Sequence, residues 1–462
     1  MNIKLKKMKN KFYALIIALF LYSIGSYAQD VKKNDSIRIN QYGREVKWLS
    51  LNGEAQDGIL NFTSDDKSYS LWFDNRIQFD GGIFSNDALN PIGNGATIRR
   101  ARFAIKAIIW NNWYGELDLD FSGSAVELKD AYVKYTFDSG DLNIKAGHFR
   151  ESFGLETNTT SRYVTFIERS LSSKLDPSRH LGIQANHWKD KYILSGGAHF
   201  NTVGELEEVT LSQDANKDFG LDEGYAFTGR VVYRPIIDND KVLHLGVAAT
   251  YRTPQTTAEV PNSFRYSTRS YSSINRKKYI DTDDILNVDN TNMFDFELAG
   301  AYKGLMFQSE YKIVNVNRMD DLSSVNIDGF YAQAGYLLFG GKYNYNKAEG
   351  EFTRISRGKK YGDLELAFRY DYVDANDFDA EVYGGSAEGY TFGLNYHFNP
   401  NVKFMVNYVY TNNDRYANGK GKLYIGHDLN GDLTKDPADV IETNGNGGDD
   451  FGMLTMRLEM DF

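Results

Sequence analysis

The sequence has no cysteine, which excludes a disulfide framework and any thiolate metal site. Beyond residue 28 no stretch approaches 18 apolar residues, so a helical membrane span is not expected. None of the histidines (His148, His180, His187, His199, His244, His397 and His427) forms a metal-spaced pair such as HExxH, and each reads as an ordinary strand or loop residue. A nucleophile elbow is missing too. A barrel phospholipase or protease would need a Ser or Asp cluster at an outer rim, and none assembles from the sequence, so the chain is read as a non-enzyme. Heptads, a second domain and repeats longer than a hairpin are absent. No nucleic-acid partner is expected.

What is present begins with an export signal. Lys4, Lys6, Lys7, Lys9 and Lys11 precede an apolar core near 12–24, and Ser26, Tyr27 and Ala28 follow. This is a charged region, a hydrophobic region and a small-x-small cleavage site. One transmembrane anchor is the alternative, but the apolar run is short for a span. Cleavage after Ala28 is expected; it removes five lysines and takes the formal charge from −10 to −15. Mean hydropathy is −0.49. That value fits a soluble protein and equally a transmembrane β-barrel, in which only alternate residues face lipid.

The pattern decides between them. From about Ser70 the chain is a run of alternating segments. Leu71, Phe73, Ile77 and Phe79 alternate with Asp74, Arg76, Gln78 and Asp80; Phe103, Ile105 and Ala107 with Arg102, Ala104 and Lys106; Leu117, Leu119 and Phe121 with Glu116, Asp118 and Asp120; Ala131, Val133 and Tyr135 with Asp130, Tyr132 and Lys134. A period of two with one apolar face is a half-buried strand. Short connections, such as Asn111-Asn112, Lys189-Asp190, Lys303-Gly304 and Asn399 to Asn401, alternate with long polar ones at 84–97, 150–180, 202–223, 253–290, 315–326, 375–387 and 413–447. Short periplasmic turns opposite long outer loops mark an outer-membrane barrel; a β-sandwich would not alternate turn length in this way. The expected fold is all-β: a 16-stranded antiparallel transmembrane barrel over 70–462, in the outer membrane. A short periplasmic extension at 29–69 precedes it, with strand-like pieces near 46–51 and 59–62. Parity makes 339–361 one long periplasmic connection, because a strand at Tyr343 to Tyr345 would put the tight turn at Pro400 outside and the long loop after Thr411 inside.

The last segment alternates Leu454, Met456, Leu458 and Met460 with Thr455, Arg457, Glu459 and Asp461, and ends on Phe462. It resembles the terminal signal that barrel-assembly machinery reads. Trp110, Trp113 and Trp188 fall beside expected periplasmic turns, where an aromatic girdle meets the lipid interface. Sixteen strands enclose an aqueous channel, and the inward parity carries charges of both signs. Most of them read as solvated lumen residues, since an isolated charge in lipid is costly. The break in the regular pattern is 150–180, about thirty residues with no clean period. A loop that long is usually functional, and it is expected to fold into the bore and set its width.

The blocks IRRARFAIKA at 98–107, ELKDAYVKY at 127–135, KAGHFRESFGLE at 145–156 and SRYVTFIERSL at 161–171, with LGIQ at 181–184 and the stretch 391–410, resemble the phosphate-selective porins O and P. The resemblance runs from about Gly58 to Phe462. It implies a homotrimer in which the third loop narrows each pore, and a path of arginines guides small anions such as phosphate to a constriction. Arg76 matches the first-strand arginine, and Arg99 and Arg100 the pair on the second strand. Arg265 and Arg269, in FRYSTRS, match the arginine ladder in part. Arg102, Lys106, Arg150 and Thr157 complete the candidate pore positions. Arg99 and Arg100 differ in parity, so both reach the lumen only through a bulge or a strand end. Two positions depart from the pattern: Thr157 follows GLE, and Tyr114 follows Trp113, where the selective members carry lysine. The expectation is a passive diffusion channel for small hydrophilic solutes with anion preference, since a guanidinium fork suits phosphate.

The non-channel alternative is a surface-binding or structural barrel with calcium-stabilised loops. Asp214, Asn216, Asp218 and Asp222 alternate like Ca²⁺ ligands, as do Asp428, Asn430, Asp432 and Asp436. Neither run completes the twelve-residue pattern, and a solvated acidic loop is the simpler reading of both. No other cofactor is expected.

Overall fold

The computed structural model describes residues 37–462, apart from 48, 57, 86–87, 206–221, 255–261, 276, 418–419 and 443–446. The unit Met1–Leu51 contains one antiparallel pair, Ile37–Ile39 with Glu45–Lys47. The unit Asn52–Phe462 is a closed antiparallel barrel of sixteen strands. In chain order they are β1 Tyr69–Phe84, β2 Gly95–Ile109, β3 Trp113–Asp120, β4 Glu127–Thr136, β5 Leu142–Arg150, β6 Arg179–Lys189, β7 Tyr192–His199 and β8 Ala226–Ile237. There follow β9 Lys241–Arg252, β10 Val288–Tyr302, β11 Leu305–Arg318, β12 Val325–Leu337, β13 Asp363–Asp377, β14 Val382–His397, β15 Val402–Asn413 and β16 Phe451–Asp461. Each strand pairs with the next, and β16 closes on β1 from Met453 opposite Phe84 to Asp461 opposite Arg76. Ile59–Ser64 pairs with the foot of β1, Asn61 opposite Trp72.

Period-two patterning explains both faces. Ile77, Phe79, Val247, Phe294, Phe296, Phe392, Leu394, Leu458 and Met460 are exposed on the outside, where lipid covers them. At the short-turn end Trp110 and Trp113 stack on Tyr69 and Tyr135, with ring centres 5.3 and 4.9 Å apart. The alternate residues point inward; most are polar, but Val314, Val316, Val325, Ile327 and Val373 form part of a buried apolar cluster.

Two details differ from the sequence-based expectation. The outer connections read as 315–326 and 375–387 shrink to 319–324 and 378–381. Above the apolar belt the strands keep pairing through polar residues: the Asn315 amide donates to Asn326 Oδ1 at 2.7 Å, and the Asn326 backbone N–H to Asp377 at 2.8 Å. The hydrophobic signal therefore ends before the ladder does. The interior also differs from an open channel. On the β8 to β15 side the inward Arg230, Lys312 and Arg369 are 0–1% exposed, because two connections fill that half of the lumen. One is 151–178, between β5 and β6. The other is 338–362, between β12 and β13, which carries the short pair Tyr345–Asn346 with Glu351–Phe352.

Candidate functional site: the pore

The 151–178 connection is held from one wall to the other. Gly154, at φ 76°, starts it; a Cβ there would lie 2.5 Å from Asp176 Oδ2 and 2.9 Å from Lys312 Nζ. One helical turn follows, Leu155–Asn158. Glu310 on β11 accepts the N–H groups of Leu155 and Glu156, the second at 3.0 Å. Lys312 binds Asp176 of the loop at 2.8 Å and reaches Glu310 and Asp295 at 3.1 and 3.5 Å.

The segment then crosses the lumen. Arg369 on β13 donates to Glu168 O at 3.0 Å, and Asp371 accepts the Leu171 N–H at 3.1 Å. On β14, Asn395 donates to Thr165 O at 2.8 Å. On β15, Asn407 accepts the Ile167 N–H at 2.8 Å, and Lys403 donates to Arg162 O at 2.7 Å. Arg76 on β1 donates to Ser161 Oγ at 2.5 Å, and Arg162 pairs with Asp74. Inward polar residues of β11, β13, β14 and β15 thus satisfy the loop's backbone, whose buried groups would otherwise be costly, and β1 holds its side chains. Within the loop, burial opposes the Glu156 charge. Arg369 and the Ser170 and Ser173 hydroxyls outweigh it and hold the carboxyl below its ordinary pKa.

The second connection is tied in the same way. Arg230 donates to Glu349 O and Gly350 O, both at 3.2 Å; Arg234 donates to Lys347 O at 2.6 Å; Asn186 donates to Ala348 O at 3.1 Å. Glu351 meets the first loop by accepting the Thr160 N–H at 3.1 Å.

Two larger water-accessible spaces border the 151–178 loop, besides a cavity of about 50 Å³ between the loop and the wall. The inner chamber, about 410 Å³, is bounded by β1 to β7, by Asn158, Thr160 and Arg162 of the loop, and by Glu349 and Glu351. The outer vestibule, about 420 Å³, is lined by Arg99, Arg169, Lys174, Arg269 and Lys278, with Glu168 as its single acid among the described residues.

A model of the family described as phosphate-selective porin O and P matches residues 73–430. The chain belongs to that family. It is 25% identical to Porin O of Pseudomonas aeruginosa over 406 residues, covering 79% of this chain and 88% of the relative. An uncharacterized protein of Caulobacter vibrioides is 28% identical over 358 residues, 76% of this chain and 70% of that one. Among solved structures, the trimer form of OmpT, an outer membrane protein of Vibrio cholerae, aligns with TM-score 0.50 at 10% identity, over 86% of this chain and 100% of that one; this likeness shows the fold. The protein is an outer-membrane β-barrel porin.

In this porin the candidate positions have different fates. The ladder between β1 and β2 shifts register between Gln78, opposite Arg100, and Phe79, opposite Ile98. Arg99 is the extra residue of that bulge, so it and Arg100 both turn inward. Arg99 pairs with Glu168 at 2.5 Å, and Arg100 donates to Gln78 at 2.6 Å. Arg102 is shared by Asp118 and Asp120, each at 3.3 Å, and Lys106 binds Asp74 at 2.6 Å and Glu116 at 3.4 Å. Arg150 donates to Asn158 O at 3.1 Å and faces the inner chamber. Arg269 lines the vestibule. Two candidates fall elsewhere. Thr157 is buried inside the loop, its hydroxyl donating to Ser173 O at 3.3 Å. Arg265 is occupied by Asp281 at 2.6 Å, within the outer loops.

Of the acidic runs, Asp214, Asn216 and Asp218 lie outside the described residues. Asp222 accepts the Gly224 N–H at 3.0 Å. Asp428 accepts the N–H groups of Asn430 and Asp432 at 2.8 and 2.9 Å, closing a turn.

Sequence reasoning left out Arg162, Arg169 and Arg179 and the acids Glu349 and Glu351. Arg162 and Arg169 lie inside SRYVTFIERSL, so the block itself marked them. Glu349 and Glu351 sit in a connection read only as periplasmic, and nothing local shows that it turns into the barrel.

Proposed function

We propose that this porin is a passive channel preferring small anions, phosphate among them, and that it works as a homotrimer in outer-membrane lipid. Phe462 and β16 serve as its docking signal for the barrel-assembly machinery. One observation carries the anion preference. Lys134, Lys145 and Arg150 line the inner chamber, and Arg169 the vestibule, with no carboxylate partner among the described residues. In the inner chamber the other cations pair with acids, and in the vestibule Arg99 and Lys174 share Glu168, so these four, together with Lys278 held by Ser267 Oγ at 2.8 Å, are left to meet a solute. Arg169 is held by the carbonyls of Glu156 and Thr159 at 2.8 and 2.6 Å. That fixes a guanidinium at the entrance without cancelling its charge. The family, and the name Porin O of the Pseudomonas relative, agree with this reading. The trimer form of the Vibrio OmpT supplies the precedent for three-fold assembly on this fold.

Single-channel recordings in potassium chloride test the proposal. Added phosphate is expected to block the chloride current, and reversal potentials in a salt gradient to report anion preference. Cation preference with no phosphate block would refute it.

A further inference from the structure

Most charges of the inner chamber cancel in pairs along the barrel wall. Asp74 is taken by Lys106 and Arg162, Glu116 by Lys106, Asp118 by Arg102, and Asp130 by Arg179 at 2.8 Å. Two groups are left over, and both line the chamber. On β4 and β5 are Lys134, Lys145 and the nearby Arg150. Lys134 and Lys145 rest on aromatic rings: the Lys134 ammonium is 4.6 Å from the Tyr114 ring centre, and that of Lys145 is 4.4 Å from the Phe149 ring centre. On the inward-folded connection are Glu349 and Glu351. Glu349 is exposed to the chamber, and its carboxylate has no cation partner among the described residues. Glu351 is 9% exposed and accepts only the Thr160 N–H among the described donors. The two sets form no ion pair with each other, and both border the same chamber of about 410 Å³.

We propose that the inner chamber selects small zwitterions, solutes carrying an anionic group and an ammonium together, over anions of the same size. This rests on the anion reading above and narrows it. The anionic end of such a solute meets Lys134, Lys145 and Arg150, and its ammonium meets Glu349 and Glu351. A bare anion meets the same cations but passes within the field of Glu349 with nothing to offset it. The state of Glu351 fits this assignment. Burial and the neighbouring Glu349 charge push its carboxyl up to about 8 against the opposing pull of Arg150 and Arg230, and an arriving ammonium would favour its charged form. A dipolar solute thus finds a partner for each of its charges while the net preference for anionic groups is kept.

The test uses purified full-length porin in planar bilayers. Taurine (2-aminoethanesulfonate) and ethanesulfonate have the same anionic group and nearly the same size, and differ by one ammonium. Taurine is expected to block the chloride current at a concentration about threefold or more below that needed for ethanesulfonate, the weight of about one water-screened charge contact. Glu349→Gln removes a charge that holds no side-chain partner, so the barrel is retained, and the two half-blocking concentrations should converge. Glu351→Gln keeps an acceptor for the Thr160 N–H and should act in the same direction above about pH 8, where the Glu351 carboxyl is charged. Phosphate block is measured on each preparation. Equal block by the two sulfonates with phosphate block intact overturns zwitterion selection and leaves the anion reading standing. A taurine advantage unchanged in Glu349→Gln also overturns it. A channel that phosphate does not block overturns both readings.

Discussion

Lys134 stands directly opposite Tyr114 across the β3–β4 ladder, with its ammonium 4.6 Å from the centre of the phenol ring. The sequence puts tyrosine where a lysine of the resembled pattern belongs, and the cross-strand neighbour brings a positive charge to the same place. Tyr114 turns its hydroxyl to Glu116 at 2.5 Å, so the ring lies flat as a platform for the cation. Replacing Lys134 by Gln removes a charge with no carboxylate partner among the described residues. The chloride-to-potassium permeability ratio is expected to fall about two- to threefold, the effect of one charge some 7 Å from the path in a water-like dielectric. Reversal potentials in a potassium chloride gradient measure it; an unchanged ratio would place Lys134 off the ion path.

The pore width depends on Lys312. It is fully buried and ties Asp176 of the loop to Glu310 and Asp295 of the wall. Removing one partner of a buried ionic group typically costs about 3–5 kcal/mol, because the others are left uncompensated. Here the strain falls on the loop anchor, since strand pairing does not pass through this side chain. Lys312→Met is expected to give a barrel that still migrates as folded in unheated gels, with higher and noisier single-channel conductance. Quiet wild-type conductance would show that the remaining loop contacts suffice.

The barrel was legible because each strand repeats one rule: apolar residues outside, polar inside, a short turn below and a long loop above. Leu454 to Phe462 shows it over a whole strand. Parity, a global constraint, placed 339–361 as a connection although Tyr343 and Tyr345 alternate locally like a strand. The site was legible only in part. Arg76, Arg99 and Arg100 were marked by motif and do turn inward, and the parity clash between the last two required the bulge found at Arg99. Thr157 was misplaced because a loop residue's burial depends on where the loop lands. Glu349 and Glu351 were missed for a related reason: what draws their connection inward is Arg230, Arg234 and Asn186, more than a hundred residues away in the chain.

Glu351 gives the pore a pH dependence with a definite sign. Its carboxyl is raised from 4.5 to about 8 by burial and by Glu349, so the folded protein keeps a proton there that an unfolded chain would release. Any stability from this group is present below about 4.5 and declines as pH rises toward 8. In the channel, the chamber carries little charge at Glu351 below pH 8 and a second negative charge above it. Anion preference should therefore drop between pH 7 and pH 9, and Glu351→Gln should flatten that drop. Reversal potentials across this range decide the matter, and a wild-type profile matching that of Glu351→Gln would remove Glu351 as the cause.

The bulge at Arg99 makes a sharper prediction than a substitution alone. Gln78 already faces Arg100 and Phe79 already faces Ile98, so deleting residue 99 joins two correctly oriented halves of β2 into a regular ladder. The barrel should assemble normally. What is lost is the Arg99–Glu168 pair, a charged hydrogen bond worth about 1.5–3 kcal/mol. Glu168 is then left with Arg457 at 3.7 Å and Lys174 at 3.9 Å. The vestibule gives up one guanidinium and partly uncovers its one carboxylate, so anion preference should weaken. Arg99→Gln should weaken it to the same extent while keeping the bulge. Equal loss of selectivity in the deletion and the substitution assigns the effect to charge. A deletion that fails to reach the outer membrane, beside a substitution that assembles, would show instead that the bulge itself is needed for β2 to pair.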